Sequence, residues 1–270
     1  MTTLQSIILG VVQGVSEFLP VSSSGHLQIF KELMGVSISN NLAFDVVLHA
    51  GTVCSTVVVL WREILSLLGG VFSKTFNESH AYVLKIIVSM IPVVIVGFTL
   101  KDALDEMLSS SHILLIVGLM LLLTSSLLAY SYYSRPKPKQ SISYRDAFII
   151  GVAQAFAVMP GISRSGATIA TGLILGNKKE SVAQFSFLMV LVPILGNTLL
   201  DLMEWGETGE SAFVEVGVMP MLAGFLSAFV VGALACRFMI EVVKRGKLIW
   251  FAYYCLFAGL LSIVGYLLNN

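Results

Sequence analysis

Two short stretches of the sequence contain the residues whose types and spacing could support catalysis. The first, QGVSEFLPVSSSGH (13–26), places a carboxylate, a hydroxyl and an imidazole close together at Glu17, Ser23 and His26. The second, MPGISRSGAT (159–168), places Arg164 between two serines. A hydroxyl nucleophile beside an imidazole base, with a guanidinium to stabilise negative charge, suits hydrolysis. The Glu17 carboxylate could orient the imidazole, hold a divalent ion or activate water.

Both stretches contain the same short motif, SSSG at 22–25 and SRSG at 163–166. A serine that precedes a helix is a good N-cap, so each motif is predicted to begin a helix whose free N–H groups attract anions. Arg164 adds a planar guanidinium that fits phosphate oxygens. The two motifs therefore predict an anion site, with phosphate as the expected group. The alternative is that the serines only cap their helices and that Arg164 pairs with Glu17.

The composition indicates that these motifs lie in a membrane protein. Hydrophobic residues make up 56% of the 270 residues and charged residues only 12%; the mean hydropathy is +0.89. A soluble domain carries about twice that share of charge, which excludes a soluble enzyme. The net charge is zero, with 16 basic and 16 acidic residues, so no basic surface is available for nucleic acid.

Six apolar segments are long enough to cross a bilayer, which needs about 20 helical residues. They are 44–61, 82–100, 112–133, 181–203, 212–236 and 248–268. Two further apolar stretches, 4–34 and 146–176, are interrupted by LPVSSSG (19–25) and MPGISRSG (159–166). Because broken helices are tolerated in membranes only inside protein or beside a wet cavity, we expect two re-entrant hairpins with tips near the midplane.

The two interrupted stretches are related by an internal repeat. A shift of 141 residues places 10–26 on 151–167, and Gln13 then falls on Gln154. A hairpin does not change sides of the membrane, whereas three spans do, so the second repeat must be inverted. The expected fold is an all-α polytopic membrane protein with two inverted-topology repeats, each of one re-entrant helical hairpin plus three transmembrane helices. The repeats cover 1–134 and 144–270 of one domain, 1–270, and a cytoplasmic linker at 135–143 joins them.

The basic residues predict the orientation of this fold. On the expected topology Lys31 and Lys101 lie on the side of the N-terminus, Arg164 lies at a hairpin tip, and all other Lys and Arg residues lie on the opposite side. Basic residues concentrate on the cytoplasmic side of membrane proteins. Both termini are therefore expected to face outward.

The repeats differ in their polar residues. The positions of Glu17, Ser23 and His26 are occupied in the second hairpin by Val158, Arg164 and Ala167. Separating acid, hydroxyl and imidazole from the cation favours a hydrolase over a simple binding site. A membrane transporter or lipid flippase that uses the same midplane anion site is the alternative, since inverted repeats with broken helices are typical of transporters.

A second polar pair lies on the first full span. Asp45 and His49 are spaced i, i+4 and share one helix face. They could adjust the electrostatics of the site without contacting the substrate. Alternatively, they could form a hydrogen-bonded pair with each other within the helix bundle, and this second interpretation is favoured.

The two motifs also resemble a known family. QGVSEFLPVSSSGH (13–26) and PGISRSGAT (160–168), with FDVVLHAGT (44–52), are similar to the signature regions of the undecaprenyl-diphosphate phosphatase family of the bacitracin-resistance type, and the resemblance covers essentially the whole chain. It implies hydrolysis of undecaprenyl diphosphate to undecaprenyl phosphate and inorganic phosphate, which recycles the lipid carrier for peptidoglycan and confers bacitracin resistance. It also implies a multi-pass protein of the bacterial inner membrane with its active site facing the periplasm.

The resemblance assigns roles by motif position. The catalytic residues would be Glu17, Ser23, His26 and Arg164, and Glu17 would hold a divalent cation, Mg²⁺ or Ca²⁺. Substrate contacts are expected from Gln13, Ser22, Ser24, Ser163, Ser165, Gly166 and Thr168. The expected partners are the polyprenyl diphosphate lipid and the bilayer, with no nucleic acid, and a homodimer is allowed. The first acidic position of the family pattern is an amide here, at Gln13, which leaves Glu17 as the only carboxylate of that motif.

Serine and histidine both remain candidates for the nucleophile. Our hypothesis takes Ser23 as nucleophile and His26 as its base, then as acid to the leaving group. Arg164 and the two helix ends would stabilise the developing negative charge, and Glu17 would hold the metal or orient His26.

Overall fold

The computed structural model describes residues 1–36, 42–100, 107, 112–208 and 216–269. Within these ranges the regular structure is helical, apart from one isolated bridge between Lys139 and Asn177. The first half contains α1 (Thr3–Phe18), α2 (Ser23–Leu33), α3 (Leu42–Val59), α4 (Trp61–Val71), α5 (Glu78–Thr99) and α6 (Ile113–Tyr133). The second half contains α7 (Tyr144–Phe156), α8 (Arg164–Ile174), α9 (Lys179–Thr208), α10 (Val218–Arg245) and α11 (Ile249–Asn269).

Five described helices contain a segment long and apolar enough to cross a membrane. These segments are Glu78–Thr99, Ile113–Tyr133, Lys179–Gly196, Val218–Arg245 and Ile249–Leu268. A sixth is present if the pair Phe44–Val59 and Trp61–Val71 counts as one span. The all-helical membrane fold expected from composition and apolar segments is therefore confirmed.

The expected span at 44–61 corresponds to α3, and the chain bends at the end of this segment. α3 and α4 meet at Leu60 with a bend of 76°. The helix after the bend carries Arg62 and Glu63 in its first turn and has no buried residues. Since charged side chains are costly in hydrocarbon, a helix that begins with them is favoured along the membrane surface over a continued path through it.

The expected span at 212–236 differs, because α10 continues to Arg245. Its last turn carries Lys244 and Arg245, and it ends at Gly246, which has a left-handed φ of 69°. Basic side chains at the helix C-terminus offset its dipole, and glycine adopts the left-handed cap without a Cβ clash. The helix thus extends beyond the apolar stretch that predicted the span, and Met239, Val242 and Val243 are still buried there.

The two predicted breaks are confirmed at the expected positions. The chain leaves helical geometry at Leu19 and resumes at Ser23, and it leaves again at Ala157 and resumes at Arg164. α1 packs against α2, and α7 packs against α8. The 16 residues of α1 span about 24 Å, which is shorter than the bilayer core of about 30 Å.

The hairpins are held by helices from the opposite half of the chain. α1 packs along α10, and α7 packs along α5. Both contacts depend on a glycine: a methyl group at Gly10 would collide with the Gly224 carbonyl, and one at Gly151 would collide with the Ser89 carbonyl. The last helices of the two halves, α6 and α11, pack against each other. This exchange of partners brings the two breaks into contact.

Candidate active site

An ion pair joins the two hairpin tips. The Arg164 guanidinium donates to the Glu17 carboxylate, with Nη2 and Oε1 3.0 Å apart. The Glu17 side chain is 5% exposed and the Arg164 side chain 26% exposed. The guanidinium therefore keeps an accessible edge, whereas the carboxylate lies behind it.

The carboxylate of Glu17 is the centre of the polar contacts in the first hairpin. Its second oxygen accepts from Gln13 Nε2 at 3.0 Å, one helical turn earlier on α1. The Ser23 hydroxyl also interacts with this carboxylate, and the His49 imidazole lies near enough for an electrostatic interaction. Glu17 is thus surrounded by hydrogen-bond donors and lies against the Arg164 guanidinium.

The second hairpin begins with a regular helix cap. Ser163 has an extended backbone with φ of −78°, and its hydroxyl accepts from the backbone N–H of Gly166 at 3.1 Å. Its own N–H donates to the Thr124 hydroxyl of α6 at 3.3 Å. Its capping role, predicted from the SRSG motif, is confirmed.

The other hydroxyls of the second hairpin have internal partners. Ser165 donates to the Leu19 carbonyl across the tips at 3.3 Å, and Thr168 donates to the Arg164 carbonyl at 2.9 Å. A methyl group at Gly166 would lie 3.1 Å from the Pro20 side chain, so the tips touch there. Ser165, Gly166 and Thr168 are buried, so they support the position of Arg164 from inside the protein.

The first hairpin exposes its polar groups instead. Ser24 is exposed, and Ser23 and His26 are partly exposed, all in the first turn of α2. Ser22 is buried, with its hydroxyl 3.5 Å from that of Ser24. The accessible surface at the tips therefore combines Ser23, Ser24 and His26 with the edge of Arg164.

Both ring nitrogens of His26 have partners. Nδ1 lies 2.9 Å from the Ser22 carbonyl oxygen, and Nε2 lies 2.5 Å from the Tyr254 hydroxyl on α11. Between the described side chains of Ser23 and His26 there is no hydrogen bond, although the sequence spacing allows one. Tyr254 was missed by sequence reasoning because it lies 228 residues from His26 and in no motif.

Asp45, which was expected to pair with His49, pairs with Lys31 instead. Both oxygens of Asp45 accept from Lys31 Nζ at 2.6 Å. Lys31 is 4% exposed, so this cation, expected on the outer side by its place in the topology, is buried between α2 and α3. His49 is left facing the Glu17 carboxylate instead.

The comparisons with known proteins identify the family. The sequence model of the bacitracin resistance protein BacA matches residues 6–261. The chain belongs to the BacA family. A relative from Parabacteroides distasonis, named undecaprenyl-diphosphatase, is 54% identical over 269 residues, which cover 100% of both chains. Proteins of the same name are 53% identical in Bacteroides thetaiotaomicron, over 98% of this chain and 99% of that one, and 36% identical in Carboxydothermus hydrogenoformans, over 98% and 97%.

Proposed function

We propose that this chain hydrolyses undecaprenyl diphosphate to undecaprenyl phosphate and inorganic phosphate, and so recycles the lipid carrier for peptidoglycan synthesis. The observation that supports this most strongly is the ion pair at the joined tips, which collects Glu17, Ser23, His26 and Arg164 in one place. Full-length relatives that carry the name of this activity support the hydrolase and give no support to the transporter alternative.

The diphosphate binds at the accessible edge of Arg164. A guanidinium can bind two phosphate oxygens at once, and the N-terminus of α2 offers backbone N–H groups beside it. Ser24 is exposed at this N-terminus and donates a further hydrogen bond. The buried Ser163, Ser165 and Thr168 fix the position of Arg164. Binding therefore depends on the orientation of the Arg164 guanidinium as well as on its charge.

In the chemical step the Ser23 oxygen attacks the terminal phosphorus. The P–O bond to the bridging oxygen breaks, undecaprenyl phosphate leaves, and the phosphoryl group remains on the serine until water releases it as phosphate. His26 accepts the serine proton and returns it to the leaving oxygen. For this, Nε2 must exchange its contact with Tyr254 for Ser23, as catalytic hydrogen bonds often form only with substrate bound.

A divalent cation, Mg²⁺ or Ca²⁺, fits this donor set only together with the substrate. Among the described residues no group of three His, Cys, Asp or Glu side chains is placed to hold a metal. Mg²⁺ commonly binds through one or two carboxylates plus substrate phosphates. Glu17, with the amide oxygen of Gln13, would supply the protein's share of the ligands. The ion would neutralise part of the diphosphate charge.

The nucleophile is tested by trapping the phosphorylated enzyme. Purified protein in detergent is mixed with substrate labelled at the terminal phosphorus and quenched during the first turnover. A label on Ser23 that survives acid supports the serine mechanism, whereas an acid-labile label on His26 assigns the nucleophile to histidine. Phosphate release is measured in parallel with Mg²⁺, Ca²⁺ or EDTA. If no phosphate is released under any of these conditions, the proposed activity is wrong.

The inverted-repeat topology belongs to the same proposal. Its support is the exchange of helices described above: each hairpin packs against the second full span of the other half, and α6 packs against α11. With basic residues concentrated on the linker side, this topology places both termini and the site on the outer side of the bacterial inner membrane. Cysteine labelling of single-cysteine variants at Thr3 and Lys137 tests the orientation. A homodimer stays a prediction that mass measurement in detergent can check.

A further inference from the structure

The orientation of the His26 ring depends on a residue outside both hairpins. The ring is stacked against Tyr254 of α11, with the ring centroids 5.7 Å apart and the planes inclined by 23°. The Tyr254 hydroxyl contacts Nε2, and the Ser22 carbonyl contacts Nδ1 on the opposite side of the ring. His26 is therefore held at both nitrogens, once by its own hairpin and once by the last helix of the chain.

One of these partners, the Ser22 carbonyl, fixes the tautomer of the imidazole. A carbonyl oxygen only accepts hydrogen bonds, so the proton of the neutral ring lies on Nδ1. Nε2 then carries the lone pair, and the Tyr254 hydroxyl donates to it. This contact precedes the proposed proton transfer, because Ser23 must replace the hydroxyl at Nε2 before the ring can take the serine proton. Tyr254 therefore holds the ring in the orientation from which this exchange starts.

The helix that carries Tyr254 is anchored at the adjacent residue. The Cys255 thiol donates to the Pro20 carbonyl, at the break of the first hairpin, over 3.2 Å. Ser125 of α6 donates to the Ala252 carbonyl at 2.6 Å, one turn before. Cys255 and Ala252 are buried, whereas Tyr254 is 44% exposed. The hydroxyl of Tyr254 is therefore placed by a rigid helix, but its side chain contributes little to the core.

We propose that Tyr254 is a positioning residue for the phosphatase reaction: before substrate binds, it holds the His26 ring against the Ser22 carbonyl, in the orientation from which Nε2 exchanges Tyr254 for Ser23. This inference rests on the proposed function, because it assigns His26 the proton transfer. Tyr254 acts through His26 and not on the diphosphate, so its removal is expected to lower kcat and to leave KM unchanged.

The test compares two tyrosine-to-phenylalanine variants on the same helix. Tyr254→Phe removes the hydroxyl and keeps the stacked ring. Tyr266→Phe removes a similar hydrogen bond, between the Tyr266 hydroxyl and His112 Nδ1 at 2.6 Å, outside the tips. We expect kcat for phosphate release to fall about tenfold in Tyr254→Phe, the effect of one lost hydrogen bond, with KM unchanged, and Tyr266→Phe to match the parent protein.

A spectroscopic readout separates this proposal from the proposed catalytic role of His26. In ¹⁵N-histidine-labelled full-length protein, the His26 signal, assigned by its loss in His26→Gln, is expected to report the Nδ1–H tautomer and to become a mixture in Tyr254→Phe. An unchanged signal, or an unchanged kcat, overturns the positioning role of Tyr254. If His26→Gln itself retains full activity, the catalytic role of His26 fails, and the proposed positioning role fails with it. In that case a changed His26 signal in Tyr254→Phe would still show that Tyr254 contacts the ring, so the two failures can be told apart.

Discussion

The two hairpin tips share a sequence template but adopt different turns. Ser22 and Ser163 occupy the same position of the repeat, yet Ser163 has an extended backbone and caps its helix, whereas Ser22 has a φ of 71°. Among the described non-glycine residues, Ser22 alone has a left-handed φ. Such a backbone costs about 1–3 kcal/mol and persists only where its surroundings hold it. The Ser22 carbonyl accepts from His26 Nδ1, so the strained turn lies at the proposed reactive group.

The polar side chains behind the tips differ in the same way. Gln13 donates to Glu17, whereas both polar atoms of its repeat partner Gln154 are buried without a partner among the described residues. Asp45 pairs with Lys31, whereas the hydroxyl of its repeat partner Ser186 is buried and likewise unpartnered. The first repeat thus has a polar network around the Glu17 carboxylate. The second repeat keeps polar residues at the matching positions but contributes only Arg164 to that network.

The largest expected effect comes from the cation of the second tip. Arg164→Lys keeps the charge but loses the planar fork, so phosphate release is expected to fall about 100- to 1,000-fold. The matched control is Arg245→Lys, where the Arg245 Nε lies 2.7 Å from Glu241 on the exposed end of α10. Steady-state phosphate release from the two variants is compared with that from the parent protein. Substantial activity in Arg164→Lys would mean that charge alone suffices.

The two lysine ion pairs are buried at opposite members, so breaking them is expected to differ in cost. Lys31→Met leaves an Asp45 carboxylate that is 37% exposed and can be hydrated, and it replaces a lysine side chain that is 5% exposed. A loss of about 1 kcal/mol or less is expected, as for exposed pairs. Lys139→Met leaves the Asp146 carboxylate, which is 2% exposed, without its cation, so a larger loss of about 1–3 kcal/mol is expected. Thermal unfolding in detergent measures both, and an equal loss would remove this distinction between the repeats.

The unpartnered amide of the second repeat predicts a gain of stability. Gln154→Met replaces a buried amide by an apolar chain of similar length, which is expected to stabilise the protein by about 1 kcal/mol. Gln13→Met removes the donor to Glu17 and is expected to destabilise it by a similar amount. The midpoint of thermal unfolding gives the sign of each change. A loss in Gln154→Met would show that water or another group satisfies that amide.

The two turns give the smallest predicted effects. Ser22→Gly relieves the left-handed backbone, but glycine raises the entropy of the unfolded chain, so a net gain of about 0.5 kcal/mol is expected. Ser163→Ala removes a helix cap and is expected to cost about 1 kcal/mol. Opposite shifts of the unfolding midpoint support the comparison of the tips. Shifts of the same sign would show that the Ser22 turn is not strained.

Several parts of the fold followed from local sequence signals. The apolar segments gave five of the spans, and the proline and serine clusters located both breaks, because these signals report hydrophobicity and backbone preference within a few residues. The bend at Leu60 had no proline or glycine to mark it. The extension of α10 to Arg245 lay beyond the apolar stretch that predicted it.

The sequence predicted which residues form the site better than it predicted the contacts that those residues make. The motifs brought Glu17 and Arg164 to attention, and their pairing was one of two alternatives left open. The partners of Asp45 and His26 could not be found this way, because Lys31 and Tyr254 reach them across helices. Such contacts depend on the angles between helices, which spacing along the chain does not specify.

The ion pair between Glu17 and Arg164 also determines the electrical balance of the site before substrate arrives. One negative and one positive group cancel, so the substrate-free site needs no further counterion. A diphosphate that enters this neutral site brings negative charge that nothing in the pair compensates. Its counter-charge must therefore travel with the lipid or be drawn from the surrounding water, which couples occupancy of the site to the availability of cations.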